Sequence, residues 1–301
     1  MGSRVALAAA FAAILLWSSS YTVARVALRH FDPLALSTLR ILMASATLSL
    51  MAAFVRVGLP ARGDRWWVFT SGVLGMTVYW SVLNTALEVV ESATAAILLG
   101  LCPIMVALMS LGIIGERLTG WGWTGLLAAL PGLVLVVFGQ GGGIRLEVSA
   151  VLVVLAAIAH AAYIVMTKRL MSRYRPVQVV TWALWSATVT ALPLALRVVP
   201  QVVGAPPDAL LASLYLGVGA SALGFVLWAK ALAGAPASVV ASAIYATPPL
   251  ATVSGWLMLA ERPSPWVLAG GVIILAAVTL VIRRGVAPLD LPGLASARRR
   301  G

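Results

Sequence analysis

Charge is scarce in this sequence. Of 301 residues 10% are charged and 61% are hydrophobic, and the mean hydropathy is +1.02. A soluble domain of that size needs far more charge to cover its surface, so the medium around this chain is lipid. Cysteine is reduced to Cys102 alone, which excludes an internal disulfide and implies no oxidising compartment. Histidine is nearly as rare, with only His30 and His160. The nine acids (Asp32, Asp64, Glu88, Glu91, Glu116, Glu147, Asp208, Glu261 and Asp290) fall at the ends of apolar runs, between them, or in the tail. With no acid at mid-depth, a metal triad or paired-carboxylate site cannot be built in the membrane, and a Ser-His pair would lack an orienting acid. This counts against the alternative from another class, an intramembrane enzyme such as a lipid-modifying transferase or protease. No metal or cofactor is implied. No long polar stretch exists to carry the +12 net charge as a nucleic-acid-binding face. The first apolar run, which comes after Arg4, lacks a small-residue cleavage site and reads as a retained span rather than a signal peptide.

What the chain has instead is apolar runs of roughly twenty residues, the length a helix needs to cross the hydrocarbon core. Ten are expected, at 5–25, 34–55, 66–87, 92–114, 120–139, 148–167, 177–197, 209–230, 237–259 and 265–282. The breaks carry turn or charge signals such as Asp32-Pro33, Pro60 to Arg65, Gly139 to Gly143, Arg173 to Pro176 and Pro206-Pro207-Asp208. Residues 286–301 read as a disordered cytoplasmic tail. With the N-terminus inside, fifteen Lys and Arg fall in inner loops and five in outer ones, so both termini are expected in the cytoplasm. The high net charge is thereby explained as topology.

The stretch from Ala86 to Gly125 is written twice. Ala86-Leu87, Pro103, Glu116-Arg117, Trp121 and Gly125 are matched by Ala231-Leu232, Pro248, Glu261-Arg262, Trp266 and Gly270, every pair 145 positions apart. Seven matches in register over forty positions mark an internal duplication. An odd number of spans per copy turns the second copy upside down. The expectation is an all-α integral membrane protein of ten transmembrane helices in two inverted five-helix repeats, residues 1–140 and 144–285. Inverted repeats scaffold alternating-access carriers, with substrate held near the midplane.

The same residues carry a family resemblance. Ala-Leu, then Pro seventeen residues from the Ala, Glu-Arg thirteen beyond, then Trp and Gly resembles the EamA domain of the drug/metabolite transporter superfamily, in both halves across about residues 5–282. Trp17-Ser18-Ser19-Ser20-Tyr21 resembles the family's opening Trp-Gly-Ser segment, with Ser18 where Gly is usual. Layout and aromatic content look most like the YddG-type exporters of amino acids. The resemblance implies a ten-helix exporter of small metabolites in a bacterial inner membrane, its central cavity lined by spans 1, 3, 4, 6, 8 and 9.

Polar residues at mid-depth are expensive, so their stripes mark faces turned from lipid. Trp17, Ser20, Tyr21 and Ala24 share a face of span one; Thr77, Trp80, Ser81 and Asn84 one of span three. Span six adds His160, Tyr163 and Thr167, span eight Ser221, Phe225 and Trp228, and span nine Ser238, Ser242, Tyr245 and Thr252. The substrate-binding candidates are Trp17, Ser20, Tyr21, Thr77, Trp80, Asn84, His160, Tyr163, Ser242 and Tyr245. For any single hydroxyl, bonding within its own helix is the competing role, and for any single ring, packing between helices. Together the rings would suit flat apolar side chains and attract cations. Trp66, Trp67, Trp121, Trp123 and Trp266 lie at span ends as an interfacial belt, while Trp182 and Trp185 lie deeper.

Pro103 and Pro248 occupy duplicated positions near the middle of their spans and are hinge or gate candidates, or kinks that help packing. Arg40 is about 10 Å into span two by helical rise, where it either snorkels or faces inward to a carboxylate. His160 is the mid-depth group able to titrate near neutral pH. Glu116 and Glu261 are expected to cap the next helix or pair with the adjacent Arg, with gating as the other role. The function expected is export of small amphipathic metabolites, in the first place aromatic or other neutral amino acids, with cationic drugs or other metabolites as the alternative. The partners are thus a small-molecule substrate and membrane lipid.

Overall fold

The computed structural model describes residues 3–55, 57–86, 98–139, 150–250, 253 and 264–285. They form helices and connecting turns, with no strand among the described residues. The expected tail at 286–301, the whole of Leu87 to Ile97, residues 140–149, Thr252, and Glu261 with Arg262 lie outside them.

Helix α1 (Ser3–Ala27) is followed by α2 (Pro33–Val55). Asp32 starts α2 by accepting the Ala35 N–H at 2.8 Å, and Pro33 supplies a preset φ. Next, α3 (Arg65–Gly72) passes through a π-helical stretch (Val73–Val78) into α4 (Tyr79–Ala86). After α5 (Cys102–Ile113) the chain reverses at Gly115, whose φ of +71° favours glycine. It continues as α6 (Gly120–Gly139), α7 (Ala150–Leu170) and α8 (Pro176–Ala191), the last running through a 3-10 turn (Leu192–Leu194) into α9 (Ala195–Val203). A second π stretch, Tyr215–Leu223, joins α10 (Pro207–Leu214) to α11 (Gly224–Gly234). Helix α12 (Ala237–Ser242) leads into a 3-10 turn (Ala243–Ala246), and α13 (Pro265–Arg284) closes the fold. Among the described residues six helices are long and apolar enough to cross a membrane: Pro33–Val55, Gly120–Gly139, Val151–Leu170, Pro176–Val203, Pro207–Gly234 and Pro265–Arg284. Large apolar side chains on the outside, such as Phe54, Leu196 and Val272, are what contact with lipid requires.

Helices α6 and α13, which the 145-residue offset superposes, pack directly on each other. A Cβ on Gly125 would sit 2.6 Å from Val281, and one on Gly270 2.5 Å from the Gly132 carbonyl oxygen. Only glycine lets the two backbones approach so closely. Their ends are tied reciprocally. The Thr119 hydroxyl donates to the Arg284 carbonyl, and the Ser264 hydroxyl donates to the Gly139 carbonyl at 2.8 Å. Thr119 matches Ser264 and Gly139 matches Arg284 in the duplication, so each bond is the other's equivalent. The start of each helix meets the end of its partner, and the pair is antiparallel.

Charge is segregated between the two ends. One end gathers Arg4, Arg62, Arg65, Arg117, Lys168, Arg169, Arg173, Arg175, Lys230, Arg283 and Arg284, while the other carries Arg29 and Arg197. At the basic end Arg169 lies over Trp67 and Arg284 over Trp121, with distances to the ring centres of 4.4 and 5.6 Å. Asp64 joins two of the connecting segments there, accepting from the Tyr174 hydroxyl at 2.7 Å and from Arg173 at 3.2 Å. At the opposite end Gln201 Oε1 accepts the Asp32 N–H at 2.9 Å. Glu116 does not cap the next helix, α6, whose Gly122 N–H bonds instead to Thr119 Oγ1 at 3.1 Å.

This packing can be tested at its tightest contacts and at its buried acid. Leucine at Gly72, where a Cβ would collide with the Ala183 carbonyl, or at Gly270, is expected to cost more than the roughly 1–3 kcal/mol of ordinary overpacking. Monodisperse protein in detergent gel filtration should be lost, whereas Gly112→Ala, with no neighbour within 4 Å of its Cβ, should match the parent. For the acid, the Tyr174 hydroxyl and Arg173 hold the Asp64 carboxyl below its ordinary 3.8 despite burial. Its stabilisation is therefore full above pH 3.8 and lost as pH falls through the lowered folded value. The gap in melting temperature between the parent and Asp64→Asn should close over that range.

Candidate functional site

The two π stretches build the centre of the molecule. A π turn inserts one residue into a helix, widens it, and leaves a backbone carbonyl without its usual partner. The offset of 145 lays Val73–Val78 on residues 218–223, inside Tyr215–Leu223, so both copies carry the irregularity at the same level. Glycines flank both. A Cβ on Gly217 would lie 2.5 Å from Met43 Cβ, and one on Gly75 would enter the Tyr163 ring. In lipid a freed carbonyl needs a donor, and Trp17 Nε1 supplies it, donating to the Ala220 carbonyl at 3.0 Å.

Around this bond lies a continuous cluster of rings. Trp17 packs on Trp228 at 4.9 Å between centroids, on Phe225 at 5.2 Å and edge-on to His160 at 6.3 Å. His160 stacks on Tyr79 at 4.4 Å and Tyr163 at 6.0 Å. Phe225 meets Tyr163 at 5.6 Å and Trp80 at 5.7 Å, both edge-on. Edge-on and offset contacts are the favoured arrangement of such rings. Helices α1, α4, α7 and α11 therefore converge on one site. Arg40 of α2 borders it, its guanidinium 4.6 Å from the Trp80 ring centre and its Nε 3.3 Å from Ser221 Oγ. Arg40 thus faces inward, rather than snorkelling to the nearer end.

Several buried polar atoms have no hydrogen-bond partner among the described residues: His160 Nδ1, Tyr163 Oη and Trp228 Nε1 in the cluster, and Tyr245 Oη apart from it, against α6 and α13. Trp228 Nε1 can only donate, whereas a tyrosine hydroxyl and an imidazole nitrogen can donate or accept. Such atoms suit a molecule that carries both an acceptor and a donor.

Of the ten substrate candidates, the structure brings Trp17, Trp80, His160 and Tyr163 together. Tyr21 belongs to α1, and its side chain lies outside the described part. Ser20 donates to the Trp17 carbonyl and Ser242 to the Val239 carbonyl, each at 2.7 Å within its own helix. Thr77 bonds Thr190 on α8 at 2.8 Å, and Asn84 donates to Ser37 and Pro33 of α2. Tyr245 packs with Leu126, Ile274 and their neighbours against α6 and α13. Trp182 and Trp185 donate to Gly58 and Ser49 at the border of the fold. Pro103 sits not at a mid-helix kink but in the first turn of α5, behind a turn at Gly100-Leu101, where its missing N–H leaves no bond unmade. Pro248 comes after the 3-10 turn Ala243–Ala246, which the offset lays on 98–101. Both copies thus lose α-helical geometry at the same place.

Tyr79 joins the cluster although nothing in the sequence pattern marks it. Helical spacing puts Thr77, Trp80 and Asn84 on one face, but the extra residue of the π turn rotates the helix beyond it, and Tyr79 comes to face His160.

Replacing Trp17 by Phe keeps the ring and removes the donor. The Ala220 carbonyl would lose its partner, an expected loss of about 1–3 kcal/mol, read as a lower melting temperature of the purified variant.

Known proteins share this layout. The model of the EamA-like transporter family matches residues 4–138 and again 148–283. A "Probable terminal-alkyne amino-acid exporter" of Streptantibioticus cattleyicolor is 32% identical over 271 residues, 90% of this chain and 91% of the relative. The "Uncharacterized transporter YdfC" of Bacillus subtilis is 29% identical over 264 residues, 87% of this chain and 86% of the relative. One solved crystal structure superposes over 100% of both chains with a TM-score of 0.76 at 22% identity, a likeness of fold alone.

Proposed function

The chain belongs to the EamA-like transporter family, and we propose that it exports neutral amino acids or similar amphipathic metabolites from the cytoplasm by alternating access. Its family and relatives are transporters rather than enzymes. The observation that carries the finer reading is the ring cluster at the paired π turns, with its orphaned donor and acceptor atoms. Ring faces accommodate an apolar side chain and attract an ammonium group. Trp228 Nε1 is suited to a carboxylate oxygen, and Tyr163 Oη and His160 Nδ1 to an ammonium. The amino-acid exporter among the relatives, 32% identical, supports the same substrate class.

We infer ten spans in two inverted halves. A two-fold axis that exchanges two antiparallel helices must run across them, which for α6 and α13 means in the bilayer plane. Two halves so related can rock about a central site and expose it to either side in turn. Positive charge collects on the cytoplasmic side of inner-membrane proteins, so the basic end, with both termini, faces the cytoplasm. Pro103 and Pro248, each next to a local break in helical geometry, are the hinges. The described acids Asp32, Asp64, Glu116 and Asp208 all lie at the ends of the molecule, which favours movement down the substrate's own gradient over proton coupling. A second reading, export of cationic drugs, draws on the guanidinium of Arg40 already lying over Trp80.

Purified protein in liposomes should take up labelled neutral amino acids, including some with terminal-alkyne side chains, with or without a pH gradient. A strict need for the gradient would overturn facilitated diffusion, and uptake of cationic drugs alone would select the second reading. Alanine at Trp17, Trp80, His160, Tyr163 or Tyr245 should slow uptake about tenfold, roughly 1.4 kcal/mol in the barrier, in protein that still runs as a single gel-filtration peak. Unchanged transport at the first four would remove the ring cluster from the mechanism, and unchanged transport at the last would remove Tyr245.

A further inference from the structure

Glu116 makes a contact that a helix cap does not need to make. It lies just beyond α5 in the first copy of the repeat, yet its carboxylate accepts the Ala237 N–H at 3.0 and 2.8 Å and the Ser238 N–H at 3.4 Å, at the start of α12 in the second copy. The residue before α12 is Pro236, which has no side-chain acceptor, so the first amides depend on a carboxylate 121 residues away. Lys168 holds the other side of the same corner, its Nζ donating to the Leu232 and Ala235 carbonyls at 2.7 Å each. An anion on the start of one helix and a cation on the end of the one before both match the helix dipoles. The corner Gly234–Pro236 is thus fixed by two charges, of which only Glu116 belongs to the other copy.

The position of this corner gives the contact its meaning. It borders a cavity of about 220 Å³ lined by Leu7, Pro236, Val239 and Arg283 at the basic end. It also ends α11, the helix that carries Phe225 and Trp228 into the ring cluster. Any opening of the two copies at the basic end has to separate Glu116 from Ala237. Such bonds can be exchanged for water at an end of the molecule, as an interdigitated apolar seam cannot. We propose that Glu116 is a latch: bound to Ala237 it closes the basic end of the transport path, and it releases Ala237 in each cycle. The latch rests on the alternating-access reading above, and its test separates the two.

The first arm needs no substrate. In a Cys102→Ser background, Val239→Cys is labelled with a membrane-impermeant maleimide in open membranes, with Glu116 or with Glu116→Ala. At least fivefold faster labelling without the carboxylate is expected, and equal rates would overturn the latch. The second arm leaves Glu116 in place. Arg117→Cys and Ser238→Cys are joined by a short cleavable thiol crosslinker, and uptake into liposomes is compared before joining, after it, and after cleavage. A reversible loss of at least tenfold is expected, and joined protein that still transports within twofold would overturn the latch even if Glu116→Ala does not fold. If the parent carries no amino acid, the substrate reading fails while the labelling arm still decides the latch.

Discussion

Every backbone carbonyl within lipid must find a donor inside the protein, and this fold depends on how that demand is met where its helices are irregular. A π turn at mid-depth would be untenable against hydrocarbon. Here the Ala220 carbonyl receives the indole N–H of Trp17 from another helix. One bond therefore does three things. It satisfies the widened turn, locks α1 to the π stretch, and sets the Trp17 ring where Trp228, Phe225 and His160 can pack on it. The missing Cβ at Gly72, Gly75 and Gly217 makes room beside the same turns, for the Ala183 backbone, the Tyr163 ring and the Met43 side chain respectively. The ring cluster is a consequence of irregular backbone, held by close packing at these glycines.

The duplication has kept the scaffold and released the lining. Gly72 repeats as Gly217, Thr119 as Ser264 and Pro103 as Pro248, and these positions govern close approach, helix starts and breaks. Of the ring positions only one pair repeats, Trp80 with Phe225, and these two rings meet edge-on. The equivalents of Trp17, His160 and Tyr163 are Ala162, Leu15 and Ser18, and Arg40 corresponds to Trp185. A symmetric frame gives two halves the same mechanics. An asymmetric lining is what a site that distinguishes the two ends of an amphipathic molecule would need, as the proposed function requires.

Much of this is legible in the sequence. The apolar runs locate the helices because only length and hydropathy are needed for that. The 145-residue repeat is visible because it preserves prolines, glycines and charged turns, whose backbone roles tolerate few substitutes. Four ring residues stand out because a bulky polar-tipped side chain at mid-depth contrasts with leucine and alanine. What escapes is whatever depends on local winding or distant pairing. A π turn has no signature in a run of valine, leucine and glycine, so helical spacing gives Tyr79 no face. Asn84 shares a face with Trp80 but lies one turn further along α4, where it ties that helix to α2. Pro103 looks like a kink because a break at Gly100-Leu101 is invisible to hydropathy. The partner of Glu116 lies 121 residues off, beyond any capping pattern.

Buried atoms without partners bear on how binding and motion are joined. Each unmade hydrogen bond in a low-dielectric interior costs on the order of 1–3 kcal/mol. Trp228, Tyr163 and His160 belong to one ring cluster, the first joined to the other two through Trp17 and Phe225, so the cost falls within that cluster. A closed centre that leaves these atoms unsatisfied is raised in free energy, and a ligand offering a carboxylate and an ammonium removes that disadvantage. Binding then acts on the balance between conformations only to the extent that it favours one over the other. Rings in contact with one another must part for a molecule to enter between them, and α11 carries two of them, Phe225 and Trp228. The same helix ends at the corner held by Lys168 and Glu116, so a shift of α11 on the proposed transport cycle would be felt both at mid-depth and at the charges of the basic end.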